Sequence, residues 1–193
     1  MNYTINEQQK NIRRAKKNML LFGMISLSMS FAGLTSAYII SKEREDWLTD
    51  FEVPQAFFIS LFVIALSSVT FHLAKAAIKK EANNQGMVLL ISTLVLGITF
   101  VYLQFLGFSQ IIDNGYFFTG SESSITTSFI YLVVLMHLAH IFIALISVVV
   151  VIYNHYKLKY IKGKTLGVEL AVTFWHFVDI LWIYLFFFMY FVR

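Results

Sequence analysis

Five stretches of this chain are long and apolar enough to cross a bilayer as helices: about residues 18–40, 55–74, 86–108, 124–153 and 167–192. Traversing about 30 Å of hydrocarbon takes about 20 mostly apolar residues in a helix. Hydrocarbon offers no water to a stray backbone amide, which excludes an open strand, and none of the five stretches alternates as a barrel strand would. The fold class is therefore all-α: a polytopic membrane protein, a bundle of five transmembrane helices. Composition agrees. Of 193 residues, 58% are hydrophobic and 13% charged, against roughly 45–50% and roughly 25% in soluble domains, too few charges to cover a surface in water.

Several chemistries are excluded. Without cysteine, the chain has no disulfide, no thiolate-bound zinc or iron–sulfur cluster and no thiol nucleophile. Its nine glycines fall singly along spans and turns, so neither a phosphate-binding loop nor a dinucleotide fingerprint is present. A net charge of +4 is too small and too scattered to imply nucleic acid. No internal repeat or linker divides the chain, and the connections are short, which reads as one bundle.

Orientation follows from the basic residues, which are retained on the cytoplasmic side of short loops. Lys10, Arg13, Arg14, Lys16 and Lys17 precede the first span; Lys75, Lys79 and Lys80 close the second; Lys157, Lys159, Lys162 and Lys164 follow the fourth. The other side has Lys42, Arg44 and Arg193, together with the acidic Glu43, Glu45, Asp46, Asp50, Glu52, Asp113 and Glu122. The N-terminus is expected inside and the C-terminus outside. Residues 1–17 then form a cytoplasmic basic tail, either an interfacial helix or a disordered leader, and 18–193 the five-helix transmembrane domain. The first span exceeds the apolar core of a secretory signal and no A-x-A pattern follows it, so it is read as part of the mature protein.

Polar side chains inside the spans are informative because hydrocarbon penalises them unless they face protein. His137 and His140 lie three apart on one face of the fourth span, and Glu169, His176 and Asp179 form a stripe on the fifth. Thr93, Gly97 and Gln104 make a small, polar stripe on the third, suited to close helix contact. A metal site drawn from His137, His140, His176 and a carboxylate is one reading. The paired histidines of zinc peptidases and the Glu-x-x-His of di-iron bundles are both missing, which counts against it. A proton or ion path is another reading. The third is an interhelical hydrogen-bonded cluster locking the fourth span to the fifth. Ser67, Ser68, Thr70 and His72 either line a cavity or bond to helix carbonyls and neighbours. Trp47, Tyr116, Tyr153, Tyr156, Tyr160 and Tyr190 sit near the span ends as an anchoring belt.

The run Trp175-His176-Phe177-Val178-Asp179-Ile180-Leu181-Trp182, preceded by Glu169, resembles the closing signature of subunit III of haem–copper oxidases. Phe31-Ala32-Gly33-Leu34 with Tyr38, Pro54 with Ser67-Ser68-Val69-Thr70, Thr93 with Leu96-Gly97, Phe100 and Gln104, and the His137/His140 pair follow the family in order. Its five spans resemble the family's shorter form. The resemblance implies a non-catalytic subunit of a proton-pumping terminal oxidase of aerobic respiration, a multi-pass protein of the bacterial cytoplasmic (inner) membrane. It would bind and stabilise the catalytic subunit I, contact other oxidase subunits, and support proton uptake. It would hold no haem, copper or other metal itself, leaving those to its partners, with structural phospholipid between helices. His137, His140, Glu169, His176, Asp179 and Gln104 would be structural polar groups or lipid contacts. Two departures stand out: Leu27 follows Ser26 where the family carries a buried Glu, and Gly107 replaces a second Glu after Gln104. A quinol oxidase or nitric-oxide-reductase-associated subunit remains an alternative, as does a freestanding small membrane transporter.

The charge asymmetry generates a test of topology. Cysteines introduced singly at Lys79, Lys162 and Asp113 into this cysteine-free background are expected to react with an impermeant reagent on intact cells only at Asp113. Labelling at Lys79 and Lys162 with Asp113 silent would invert the orientation.

Overall fold

Each apolar run folds as a helix that extends past the run itself. In the computed structural model, which describes residues 2–44, 47, 48, 53–118, 120, 124–160 and 165–192 with side chains from residue 7 onward, α1 spans Asn2–Ser41, α2 Gln55–Lys79, α3 Asn83–Asp113, α4 Ile125–Tyr156 and α5 Leu166–Phe191. All five are long and apolar enough to cross a membrane. The 40 residues of α1 reach about 60 Å, about twice the hydrocarbon thickness. The basic leader is thus neither a separate interfacial helix nor irregular: from Asn2 it continues the first span as one helix. Among the charged residues used for orientation, Glu45, Asp46, Asp50, Glu52, Glu122, Lys162, Lys164 and Arg193 lie outside the described residues.

The tight ends of three helices share one device. In each, a residue in the left-handed region reverses the chain while two amides return to the last-turn carbonyls. After α2 it is Glu81 (φ 59°), with Ala82 N–H donating to Ala77 O at 3.0 Å and Glu81 N–H to Ile78 O at 3.1 Å. After α4 it is Leu158 (φ 53°), with Lys159 N–H on Asn154 O at 3.0 Å. After α3 it is Gly115 (φ 83°), where the lack of a Cβ removes the steric cost. At its start, α4 is held by a reciprocal cap in which Ser124 Oγ accepts from Thr127 N–H at 3.1 Å.

Helices α2 to α5 close into a ring, α2 on α3, α3 on α4, α4 on α5 and α5 back on α2, with α1 outside against α4 and α5. The largest buried side chains, among them Trp175, Trp182, Phe71 and Phe100, fill the ring. Outward-facing apolar residues such as Phe62 and Met19 are more than 70% exposed, a surface made for lipid. Lipid tails are as apolar as leucine, so helices in a bilayer associate through close packing of small residues and interhelical hydrogen bonds. Gly97 of α3 provides such an approach: a methyl there would lie 2.8 Å from both Leu145 and Trp175. Gly107 sits directly under the Phe57 ring, closing α3 onto α2. Gly33 of α1, by contrast, meets nothing within 4 Å, leaving that small-residue face open. Trp47 also departs from the anchoring belt. It is buried, edge-on to Tyr38 with ring centroids 4.7 Å apart.

Candidate functional site

The seam between α2 and α5 is built from buried polar side chains. On α5, Trp175 and Trp182 stand seven residues apart, two turns on one face; on α2, Ser60 and Ser67 have the same spacing. Because the helices run antiparallel, the pairs meet in reverse order. Trp175 Nε1 donates to Ser67 Oγ at 3.0 Å, and Trp182 Nε1 to Ser60 Oγ at 3.2 Å. Each serine in turn donates to its own helix, Ser67 to Ile64 O at 2.7 Å and Ser60 to Phe57 O at 2.8 Å. Gln104 joins from α3, its Nε2 donating to Ser60 Oγ at 3.0 Å. One hydroxyl therefore ties three helices, and all of these groups are fully buried. Nearby, Thr70 and Thr93 share a hydrogen bond of 2.9 Å between α2 and α3.

His176 and Asp179 turn toward the same stretch of α2. His176 Nδ1 hydrogen-bonds Ser68 Oγ, and its ring lies 5.8 Å from that of His72. Asp179, 3% exposed, faces Ser68 with neither carboxyl oxygen hydrogen-bonded among the described residues.

His137 and His140 occupy a different place. The His137 ring stacks on Trp182 with centroids 5.0 Å apart, and Phe31 and Phe100 present their edges at 6.5 and 6.0 Å. Neither of its nitrogens has a hydrogen-bond partner among the described residues. His140 Nδ1 donates to the Met136 carbonyl at 2.5 Å, and its ring meets Phe31 at 5.4 Å. The contact from α4 to α5 here is aromatic stacking, with α1 brought in through Phe31.

Glu169 lies apart from both, in the first turn of α5. Its Oε1 accepts from Arg13 Nη2 at 2.7 Å, Lys79 Nζ at 3.2 Å and Thr165 Oγ1 at 3.2 Å, and its Oε2 from Lys17 Nζ at 3.0 Å. The carboxylate thus joins α1, α2 and α5 at one end of the bundle, where the N-terminal dipole of α5 also favours negative charge. The six candidate residues fall in four places: Gln104 on the serine seam, His176 with Asp179 beside Ser68, the α4 histidines among aromatic rings, and Glu169 among cations. Among the described residues, no group of three or more His, Cys, Asp or Glu is arranged to hold a metal.

Comparison with known proteins decides the family. The family model for cytochrome c oxidase subunit III matches residues 46–193, well over half of the chain. The chain belongs to the cytochrome c oxidase subunit III family. Among its relatives, the cytochrome c oxidase subunit 3 of Thermostichus vulcanus is 28% identical over 179 residues, 89% of this chain and 84% of the relative. That of Corynebacterium diphtheriae is 27% identical over 172 residues, covering 86% and 82%. A probable cytochrome c oxidase subunit 3 of Rickettsia prowazekii is 30% identical over 142 residues, 72% of this chain but 48% of the longer relative. The subunit is part of a multi-subunit oxidase, and neither the quinol-oxidase nor the transporter reading is favoured.

In this subunit III chain, sequence reasoning missed Ser60, Trp175 and Trp182 as a linked set. The signal was present: two serines on one span and two tryptophans on another, with equal seven-residue spacings, fit antiparallel helices. It also assigned Arg13, Lys17 and Lys79 to topology alone, because pairs 90 to 156 positions apart leave no local pattern.

The Glu169 cluster yields a prediction. Glu169→Gln keeps the shape but loses the charge on which three half-exposed cations converge. Hydrogen bonds to charged groups contribute about 1.5–3 kcal/mol each when well buried and less when half-exposed. The basic end of α1 is expected to loosen, so limited trypsin digestion of the intact complex cuts at Arg13, Arg14 or Lys17 several-fold faster than in the wild type. Unchanged cleavage would mean the cluster does not hold α1.

Proposed function

We propose that this chain is the non-catalytic subunit III that packs on subunit I of a proton-pumping cytochrome c oxidase in a bacterial cytoplasmic membrane, with haem and copper in the partner subunits. The observation that carries this reading is the direction of the closing motif. Both indoles of Trp175 and Trp182 point into the bundle and end on serines of α2, so the motif serves to close the helix ring. The α4 histidines are set among aromatic rings, an arrangement for packing. Lipid-compatible exteriors on every helix and the open Gly33 face of α1 suit a neighbouring membrane subunit, and structural phospholipid fits the grooves between helices.

The inside end of the bundle is the one where Arg13, Lys17, Lys75 and Lys79 gather, consistent with the positive-inside rule. Support for proton uptake cannot run through a carboxylate in the first span, since none occurs between Asn18 and Ile40. Half-buried Leu27 occupies the place of the family's acid. The subunit's contribution is then the stability of the partner's uptake machinery during turnover.

Deleting the chain tests the proposal. The remaining oxidase is expected to keep its haem spectrum and its initial activity, then to lose activity during turnover faster than the complete complex. Failure to incorporate haem at normal partner levels would contradict a non-catalytic, stabilising role.

A further inference from the structure

Asp179 is buried in the middle of α5, and among the described residues neither of its oxygens is hydrogen-bonded. Along the helix it lies about 15 Å beyond Glu169, about half of the hydrocarbon thickness. An unpaired carboxylate is among the costliest groups to bury there, far costlier than the neutral acid. Polar groups lead to it from one direction. Ser68 of α2 faces Asp179 and hydrogen-bonds His176 Nδ1, and the His176 ring lies 5.8 Å from that of His72. Lys75, His72 and Ser68 follow one another on one face of α2, at helical spacings of three and four. His72 is exposed, His176 and Ser68 are half-buried and Asp179 is buried, so the line deepens step by step. One turn from the two imidazoles, toward the inside end, stand Lys75 and Thr173, which line a recess of about 560 Å³ together with Lys79 and Glu169. Beyond Asp179 the line stops. On α2 the same face continues as Ala65, Leu61 and Phe58, and the Phe58 ring meets those of Phe186 and Tyr190 on α5 at 4.7 and 5.8 Å. The polar line is open at the inside end and closed by aromatic rings at its other.

We propose that Asp179 is a proton-binding site that exchanges with the inside water through Ser68, His176 and His72, a function of this chain separate from its stabilising role. The exposed His72 takes a proton from water and passes it to His176, directly or over one bridging water. His176 Nδ1 gives it to Ser68 Oγ as the hydroxyl's own proton goes to Asp179. The imidazolium becomes neutral and the carboxylate becomes an acid; release runs the same steps backward. A serine hydroxyl has one proton, so Ser68 serves His176 or Asp179 at a given moment, in agreement with a carboxyl left unbonded while the His176 bond is made. The charged groups along this line are Lys75 and Lys79 of α2 and Glu169 of α5. From α1 come Arg13 and Lys17, which pair with Glu169, and from α4 His137 and His140, which lie among aromatic rings. Because the line ends at the aromatic closure, the site stores a proton and moves none across the membrane.

The test follows the carbonyl stretch of protonated carboxylic acids by infrared spectroscopy of the intact oxidase in nanodiscs, moved from H2O to D2O. The difference between wild type and Asp179→Asn isolates the band of this one acid from those of the partner subunits, and haem per chain registers assembly separately. The wild type is expected to show the band and to shift it, as O–H becomes O–D, as fast as the solvent is exchanged. Ser68→Ala and, independently, His72→Phe are expected to keep the band and slow its shift about a hundredfold, the low end of what a positioned proton-transfer group contributes. Asp179→Glu keeps an acid and is expected to move the band, which identifies it even where the Asn variant loosens the subunit. A spectrum with no band lost in Asp179→Asn and none moved in Asp179→Glu would mean an ionised carboxyl and overturn the proposal. So would wild-type exchange in both Ser68→Ala and His72→Phe, since deuterium would then reach Asp179 by another way.

Discussion

Two hydrogen bonds from buried indoles to serine hydroxyls, Trp175 to Ser67 and Trp182 to Ser60, set the arrangement on which the other contacts of this bundle depend. Hydrocarbon gives helices no hydrophobic reason to associate, and it gives a buried indole N–H no water to bond. Equal spacing on antiparallel helices satisfies both donors at once and fixes the register of α2 against α5. The remaining helices assemble on that pair. Gln104 brings α3 to Ser60, with Gly107 making room for Phe57. His137 brings α4 onto one face of the Trp182 ring, and Phe31 attaches α1 to the α4 histidines. Individual interhelical hydrogen bonds in membranes average about 0.6 kcal/mol, so the register depends on several small terms agreeing.

At one end of the bundle the organising interaction is electrostatic. Glu169 is nearly buried, whereas Arg13, Lys17 and Lys79 keep about half of their side-chain surface exposed. The carboxylate is thus the fixed point and the cations the adjustable ones. That asymmetry lets the long alkyl stems of the cations adjust around one fixed carboxylate.

The parts of this architecture legible in the sequence were those written in local patterns. Five apolar runs implied five helices because the length a bilayer requires is fixed. The closing motif implied the family because its eight residues are contiguous. The small, polar stripe of Thr93, Gly97 and Gln104 was also visible, and the structure turns all three inward. What escaped were relations between distant residues. The four lodgings of the candidate polar residues depend on helix rotation, which periodicity alone does not set: His137 and His140 share a face as expected, yet that face meets aromatic rings. The continuation of α1 to Asn2 was hidden as well, because a charged leader carries no apolar periodicity.

A subunit whose buried polar groups serve to close a bundle should fail mechanically before it fails chemically. The most direct measurement is the thermal stability of the intact oxidase with Ser60→Ala and Ser67→Ala together, read beside its haem spectrum. Losing both acceptors leaves two buried indole donors unsatisfied, and each such group costs about 1–3 kcal/mol. This chain is expected to dissociate from the complex at a clearly lower temperature while the haem spectrum and initial turnover match the wild type. An unchanged dissociation temperature together with an altered haem spectrum would contradict it.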